Sequence, residues 1–204
     1  MTINMIDGNF PVDQDVLQHN ITELLIASSK YDLTKDETAY VLATAFGETR
    51  FGASAPIEGA YFDDLVENIS QFKAENDYGY LTEKGEALGN TQPNDGWVYR
   101  GRGFAQLTGR RNYMKMQELF GENYEVDMVS NPNVVADNST LAAEITVYGM
   151  KNGSFTGYSF SDAQATTDFF YNSRRIINGT KSAFGYKQHA LNYQNSLTTD
   201  QSSQ

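Results

Sequence analysis

Two carboxylic acids, Glu48 and Glu58, stand in the stretch ATAFGETRFGASAPIEG, separated by Gly52 and Pro56. Glu48 closes an apolar run and has Phe46 and Phe51 for neighbours. Apolar surroundings disfavour an ionised carboxyl group, which suits a general acid working near neutral pH. Glu58 lies beyond two chain-bending residues, so it is expected to leave the helical face of Glu48 and to meet it across a gap. Two carboxyls roughly 6.5–9.5 Å apart, one an acid and one activating water, are what inverting glycoside hydrolysis requires. On spacing alone, a helix-end carboxylate and a solvated loop glutamate are the plainer reading.

A second segment, YRGRGFAQLTGRRNY, runs from Tyr99 to Tyr113. Its paired glycines allow close backbone approach, and Gln106, Thr108 and Asn112 then offer amide and hydroxyl groups at short spacing. Sugars are rings edged with hydroxyls, held by such groups and by stacking on aromatic faces; Trp97, Tyr99 and Tyr113 are candidates for the stacking. The plainer alternative is a glycine-rich turn entering a core helix, with Phe104, Leu107 and Tyr113 simply packed. The segment has neither the GKS/T ending of a phosphate loop nor the GxGxxG spacing of a dinucleotide site.

Composition narrows the chemistry further. There are no cysteines, which excludes thiol catalysis and disulfides, and only two histidines, His19 and His189, far apart. Neither has a carboxylate at ligand spacing, so a histidine metal site or a Ser-His-Asp triad is not expected, and carboxylates, hydroxyls and amides must carry the reaction. A net charge of −11 argues against a nucleic-acid partner, since phosphate binding draws on clustered Lys and Arg. Arg100, Arg102, Arg110 and Arg111 form the one basic cluster. They can pair with a catalytic carboxylate, attract anionic groups of a substrate, or hold the GRG turn by ion pairing. No run approaches the roughly 20 apolar residues of a membrane span, and the first residues lack the basic start and apolar core of a secretory signal.

The elements that must position these groups read as helices. Residues 12–29 place Val16, Leu17, Ile21, Leu24 and Leu25 on one stripe. Thr34 and Glu37 form a capping box opening the apolar helix that ends near Gly47 or Gly52. Ser161 is expected to cap a helix through Ile176 and Ile177, closed by Gly179; residues 140–151 and 181–197 are helical too. From about 76 to 103 no period is sustained, which predicts a loop or short irregular hairpin, and long loops of this kind tend to be functional. The expectation is one catalytic domain with an ordered core over 12–197, a frayed tail at 198–204, and no separate wall-binding module.

The paired segments resemble glycoside hydrolase family 19, the plant-type chitinases and related bacteriophage endolysins. The family's HET and PI-x-E stretches correspond to Gly47-Glu48-Thr49 and Pro56-Ile57-Glu58, and its Y-x-GRG-x-x-QLT-x-x-x-NY signature to Tyr99–Tyr113. Gly89-Asn90 resembles the LGN of the phage enzymes and Ile177-Asn178-Gly179 the family's INGG, all in the family's order. The resemblance implies a mainly α, lysozyme-like, two-lobed helical domain with a central substrate cleft and at most a small β-hairpin. It implies Glu48 as general acid, Glu58 as base with Thr108 holding the water, and Gln106, Asn112 and Asn178 lining sugar subsites, with Tyr99, Trp97 and Arg102 beside them. It implies inversion without metal or organic cofactor. Departures from the pattern are Gly47 in place of the family's His, Thr180 in place of the second Gly of INGG, and no evident Arg in the last helix. Glu58 falls about one residue early, which keeps Asp63 and Asp64 as rival bases.

The expected activity is cleavage of peptidoglycan glycan strands by a monomeric endolysin, with chitin as the alternative substrate and a silent glycan-binding or virion protein as a further one. The enzyme would stay in the host cytoplasm until a holin lesion releases it, or ride on a virion; neither membrane insertion nor nucleic-acid binding is expected.

Overall fold

The computed structural model describes residues 12–53 and 65–197. Eleven α-helices and two 3₁₀ turns make up these residues, and the extended pairing among them is confined to isolated bridges at Val66–Arg102 and Arg102–Leu107. Helix α1 (Gln14–Lys30) starts where the Asp13 carboxylate accepts from the Asp15 and Val16 amides. Its buried stripe is Leu17, Ile21 and Leu24 as expected, but Val16 is exposed and Asn20 takes an inward place. Helix α2 (Lys35–Thr49) opens on the predicted capping box, with the Glu37 amide donating to Thr34 and the Thr34 amide to Glu37. Residues Thr38–Ala45 are all buried, as expected of a helix apolar on every side.

Helix α2 packs most extensively on α11 (Ala183–Ser196), and α1 on α8 (Ser139–Lys151). Their side chains form one apolar cluster around Leu24, Tyr40, Leu42, Phe51 and Phe160. A second cluster gathers Tyr99, Leu107, Tyr113, Met116, Phe120 and Ile145 around α6 (Arg110–Tyr124). Helix α8 contributes to both clusters, through Ala143 and Val147 to the first and Leu141 and Ile145 to the second. This is the two-lobed helical arrangement expected from the sequence.

Two stretches differ from expectation. Residues 76–103 hold the end of α3 (Gln71–Tyr78) and the short helices α4 (Glu83–Ala87) and α5 (Asp95–Val98). Thr82 caps α4 through its hydroxyl, a local hydrogen bond that leaves no apolar period to read. The single helix expected from Ser161 is instead α9 (Phe160–Gln164), α10 (Phe169–Asn172) and the 3₁₀ turn Ser173–Ile176. Ser159 and Asp162 form the actual capping box, and Asp168 starts the chain afresh by accepting from the Tyr171 amide. Side chains that bond nearby backbone compete with helix continuation. Between α6 and α8 lies the one-turn helix α7 (Val134–Asp137).

Candidate active site

Glu48 stands in the last turn of α2, and the chain leaves that turn through Arg50 at φ 49° and Phe51 at φ 60°. Two consecutive non-glycine residues in the left-handed region cost of the order of 1–2 kcal/mol each. The surroundings hold them there. Phe51 is buried, the Asn20 amide donates to its carbonyl at 2.6 Å, and the Asp13 amide donates to Ala53 at 2.8 Å. Helix α1 thus fixes the exit of α2 and, with it, the place of Glu48.

The GRG segment is fixed from the other side. Arg102 and Leu107 exchange backbone hydrogen bonds at 3.1 and 2.8 Å, closing a tight turn through Gly103 at φ 73°. Leu65–Glu67 runs beside it: the Glu67 amide donates to the Gly101 carbonyl at 2.8 Å and the Gly103 amide to the Leu65 carbonyl at 2.8 Å. The Gly101 amide in turn donates to Glu67 Oε2 at 3.0 Å, and the Tyr78 hydroxyl donates to Oε1. Burial and then the Glu67 carboxylate raise the Tyr78 phenol above its ordinary range, so it remains a donor.

A cleft of about 360 Å³ brings these pieces together. Glu48, Gln106, Thr108, Asn112 and Asn178, all singled out from the sequence, line it, and so do Glu67, Tyr78, Lys84 and Phe155. Gln106 donates to the Gly103 carbonyl at 3.1 Å, Thr108 to the Gln106 carbonyl at 2.9 Å and Asn112 to the Thr108 carbonyl at 2.7 Å. Each side chain thereby commits a proton to the backbone and keeps acceptor lone pairs on its oxygen. Those acceptors suit hydroxyl and amide hydrogens of a glycan, or the hydrogens of a water.

The carboxyl of Glu48 has a different setting from the apolar one expected. The Tyr186 hydroxyl donates to Oε1 at 2.7 Å, and Arg174 Nη2 approaches the same oxygen at 3.0 Å. The Arg174 guanidinium lies 4.2 Å from the centre of the Tyr186 ring. Burial, then the neighbouring Glu48 charge, hold the Tyr186 phenol well above its usual range, so it stays protonated. Both donors meet the same oxygen, Oε1.

Glu58, Asp63 and Asp64 lie outside the described residues. Other expected contributors are built into the scaffold. Tyr99 and Tyr113 are buried, and the Tyr113 hydroxyl is pushed up to about 12 by burial against the opposing charge of Arg102. Arg102 is buried as well, donating to Asn133, to the Val98 and Arg100 carbonyls and to the Tyr113 hydroxyl. From these positions Tyr99, Tyr113 and Arg102 have no face to offer a sugar. Trp97 does not line the cleft, and the Arg100 guanidinium sits 3.8 Å from its ring centre. Arg110 pairs with Asp95 at 2.5 Å, and Arg111 donates to the Ala87 carbonyl at 3.1 Å. The basic cluster is therefore structural, and the cation beside Glu48 is Arg174.

Sequence reasoning missed Glu67, Arg174 and Tyr186. Nothing periodic marks Glu67. The substitution of Gly47 for the family's His was the available signal that another side chain fills the space beside Glu48.

No protein-family model matches the chain. A glycosyl hydrolase family 19 domain-containing protein of Haemophilus influenzae is 36% identical over 63 residues, which is 31% of this chain and 28% of that protein. The matched stretch thus spans under a third of that relative. Among solved structures, chitinase C from Streptomyces griseus HUT6037 superposes with a TM-score of 0.55 at 18% identity, covering 96% of this chain and 78% of that one. A bacterial family 19 chitinase gives a TM-score of 0.54 at 18% identity, covering 86% and 85%. The chain has the fold of the family 19 chitinases, and its resemblance to glycoside hydrolase family 19 rests on both a sequence match and that fold.

Proposed function

We propose that the chain is a glycoside hydrolase that cleaves the glycan strands of peptidoglycan by an inverting acid/base reaction. The observation that carries the reading is the cleft in which Glu48, a second carboxylate Glu67, and the amides and hydroxyl of Gln106, Asn112 and Thr108 face one space. Glu48 protonates the glycosidic oxygen from Oε2 while the carbon–oxygen bond breaks. A carboxylate on the far side of the sugar takes a proton from water, and the water oxygen bonds to the anomeric carbon.

Glu67 serves as that carboxylate among the described residues, because two donors orient it and each of its oxygens keeps a lone pair. Glu58 remains the rival, on the strength of the family's PI-x-E stretch. Thr108 accepts a hydrogen from the attacking water, its own proton being given to the Gln106 carbonyl. Lys84 favours peptidoglycan, since this cleft-lining residue, its ammonium 4.6 Å from the centre of the Tyr78 ring, is a cation suited to the carboxylates of lactyl and peptide groups. Chitin is the second reading, favoured by the structural likeness to chitinases. In the endolysin setting the enzyme would reach the wall through a membrane lesion or on a virion.

Mass spectrometry of borohydride-reduced products separates the substrates. Reduced muramic acid ends from purified peptidoglycan are expected. Reduced glucosamine ends from the same polymer would make the enzyme a glucosaminidase, cleavage of chitin oligomers alone a chitinase, and binding to either without cleavage would leave a glycan-binding protein.

A further inference from the structure

Gly47 precedes the acid in α2, and a Cβ built there would lie 2.5 Å from Cε1 and 2.8 Å from the hydroxyl oxygen of Tyr186. That ring comes from α11, and its hydroxyl ends 2.7 Å from Glu48 Oε1. A side chain on residue 47 and the Tyr186 ring would need the same volume. Glycine inside a helix weakens it relative to alanine, and Gly47 has no positive φ to require glycine. The ring is held in place by Arg174, stacked on it at 4.2 Å while reaching the same Glu48 oxygen at 3.0 Å. Arg174 Nε and Nη1 are buried without a hydrogen-bond partner among the described residues, so the Glu48 pairing and the ring are what this guanidinium is placed to serve.

Taking Glu48 as the acid of the proposed reaction, we infer that Tyr186 is its positioning residue and that Gly47 is glycine in order to admit it. By donating to Oε1, Tyr186 fixes the carboxyl rotamer and confines the transferable proton to Oε2. Arg174 restrains the ring in turn. Had another element supported Glu48, residue 47 would have been open to any helix-forming side chain.

Two measurements test the inference. The first is steady-state kinetics of wild type, Tyr186→Phe and Glu48→Gln on peptidoglycan fragments and chitin oligomers. Tyr186→Phe keeps the ring and removes one oxygen. It is expected to lower kcat about 10- to 100-fold, the worth of one hydrogen bond to a charged group, with KM within about twofold by the uniform-binding criterion. If Glu48→Gln is inactive and Tyr186→Phe turns over at the wild-type rate, Tyr186 is only packing and the inference fails while the acid assignment stands. If Glu48→Gln is as fast as wild type, the acid assignment itself fails.

The second measurement needs no substrate: thermal unfolding of Gly47→Ala in the wild-type and Tyr186→Ala backgrounds. With the ring gone, alanine is expected to raise Tm by about 2–4 °C, from its helix propensity. With the ring present, the gain shrinks or turns into a loss. Equal shifts in the two backgrounds would mean that residue 47 and the ring do not share space, which overturns the inference whatever the kinetics show.

Discussion

Replacing Asp95 by Asn tests how the segment carrying the GRG turn is held. Asp95 is 2% exposed, and its carboxylate gathers four donors. Arg110 Nε reaches Oδ2 at 2.8 Å, Arg110 Nη2 reaches Oδ1 at 2.5 Å, and the Thr91 and Gln92 amides meet Oδ2 at 2.8 and 3.0 Å. Asn can keep its carbonyl where Oδ2 stood, but its NH₂ then faces a guanidinium N–H, and the charge is gone. Charge-assisted hydrogen bonds are worth about 1.5–3 kcal/mol each net, and a buried charge left without its partner costs more. A loss of about 3 kcal/mol follows, or a fall in Tm of about 6–12 °C for a domain of this size.

The pH dependence sharpens the test. Burial alone would raise the Asp95 carboxyl; Arg110 and the two amides outweigh it and hold the group below its ordinary value. A carboxyl depressed in the folded state contributes stability that is complete above the unfolded value, near 3.9, and drains away as pH falls toward the folded one. The gap in Tm between wild type and Asp95→Asn is therefore expected to be full at pH 7 and to narrow below about pH 4. Calorimetry of both proteins across that range reads it. A gap under about 1 kcal/mol at pH 7, or one unchanged down to pH 3, would refute the reasoning.

Two further predictions concern α4. Gly85→Ala would place a Cβ 1.9 Å from the Gly79 carbonyl oxygen, a backbone atom that cannot swing aside; urea unfolding should show a loss of about 2–3 kcal/mol, and a stable variant would contradict the packing of α3 on α4. Lys84→Gln should raise KM for peptidoglycan about 5-fold at low salt, roughly one exposed charge pair, and leave uncharged chitin oligomers alone. An equal rise on both substrates would mean that Lys84 does not select for charge.

Local signals carried the fold furthest where one hydrogen-bonding pattern had no rival. Thr34 and Glu37 sit three apart ahead of an apolar run, and the capping box formed as read. Between Ser159 and Ile177 several hydrogen-bonding side chains compete, and only the packed chain decides that Asp168 restarts the helix. Within the cleft, Gln106, Thr108 and Asn112 were legible because one short turn brings them together. The partners of Glu48 were not: both are far along the chain, Tyr186 arriving when α11 packs on α2 and Arg174 from the 3₁₀ turn Ser173–Ile176. Tyr99 and Arg102 misled for a related reason. An aromatic or a guanidinium beside a glycine turn looks the same in sequence whether it faces a ligand or closes the turn from beneath.

The measurement that bears most directly on the proposed chemistry is the rate and product anomer for wild type, Glu48→Gln, Glu67→Gln and Glu58→Gln on peptidoglycan fragments and chitin oligomers, followed by proton NMR. Loss of the acid should cost about 10²–10⁴-fold or more in kcat, and wild type should release the inverted anomer first. Of the two base variants, Glu67→Gln is expected to be the one that falls with Glu48→Gln. Retention of configuration, or a Glu48→Gln enzyme as fast as wild type, would contradict an inverting reaction run by Glu48.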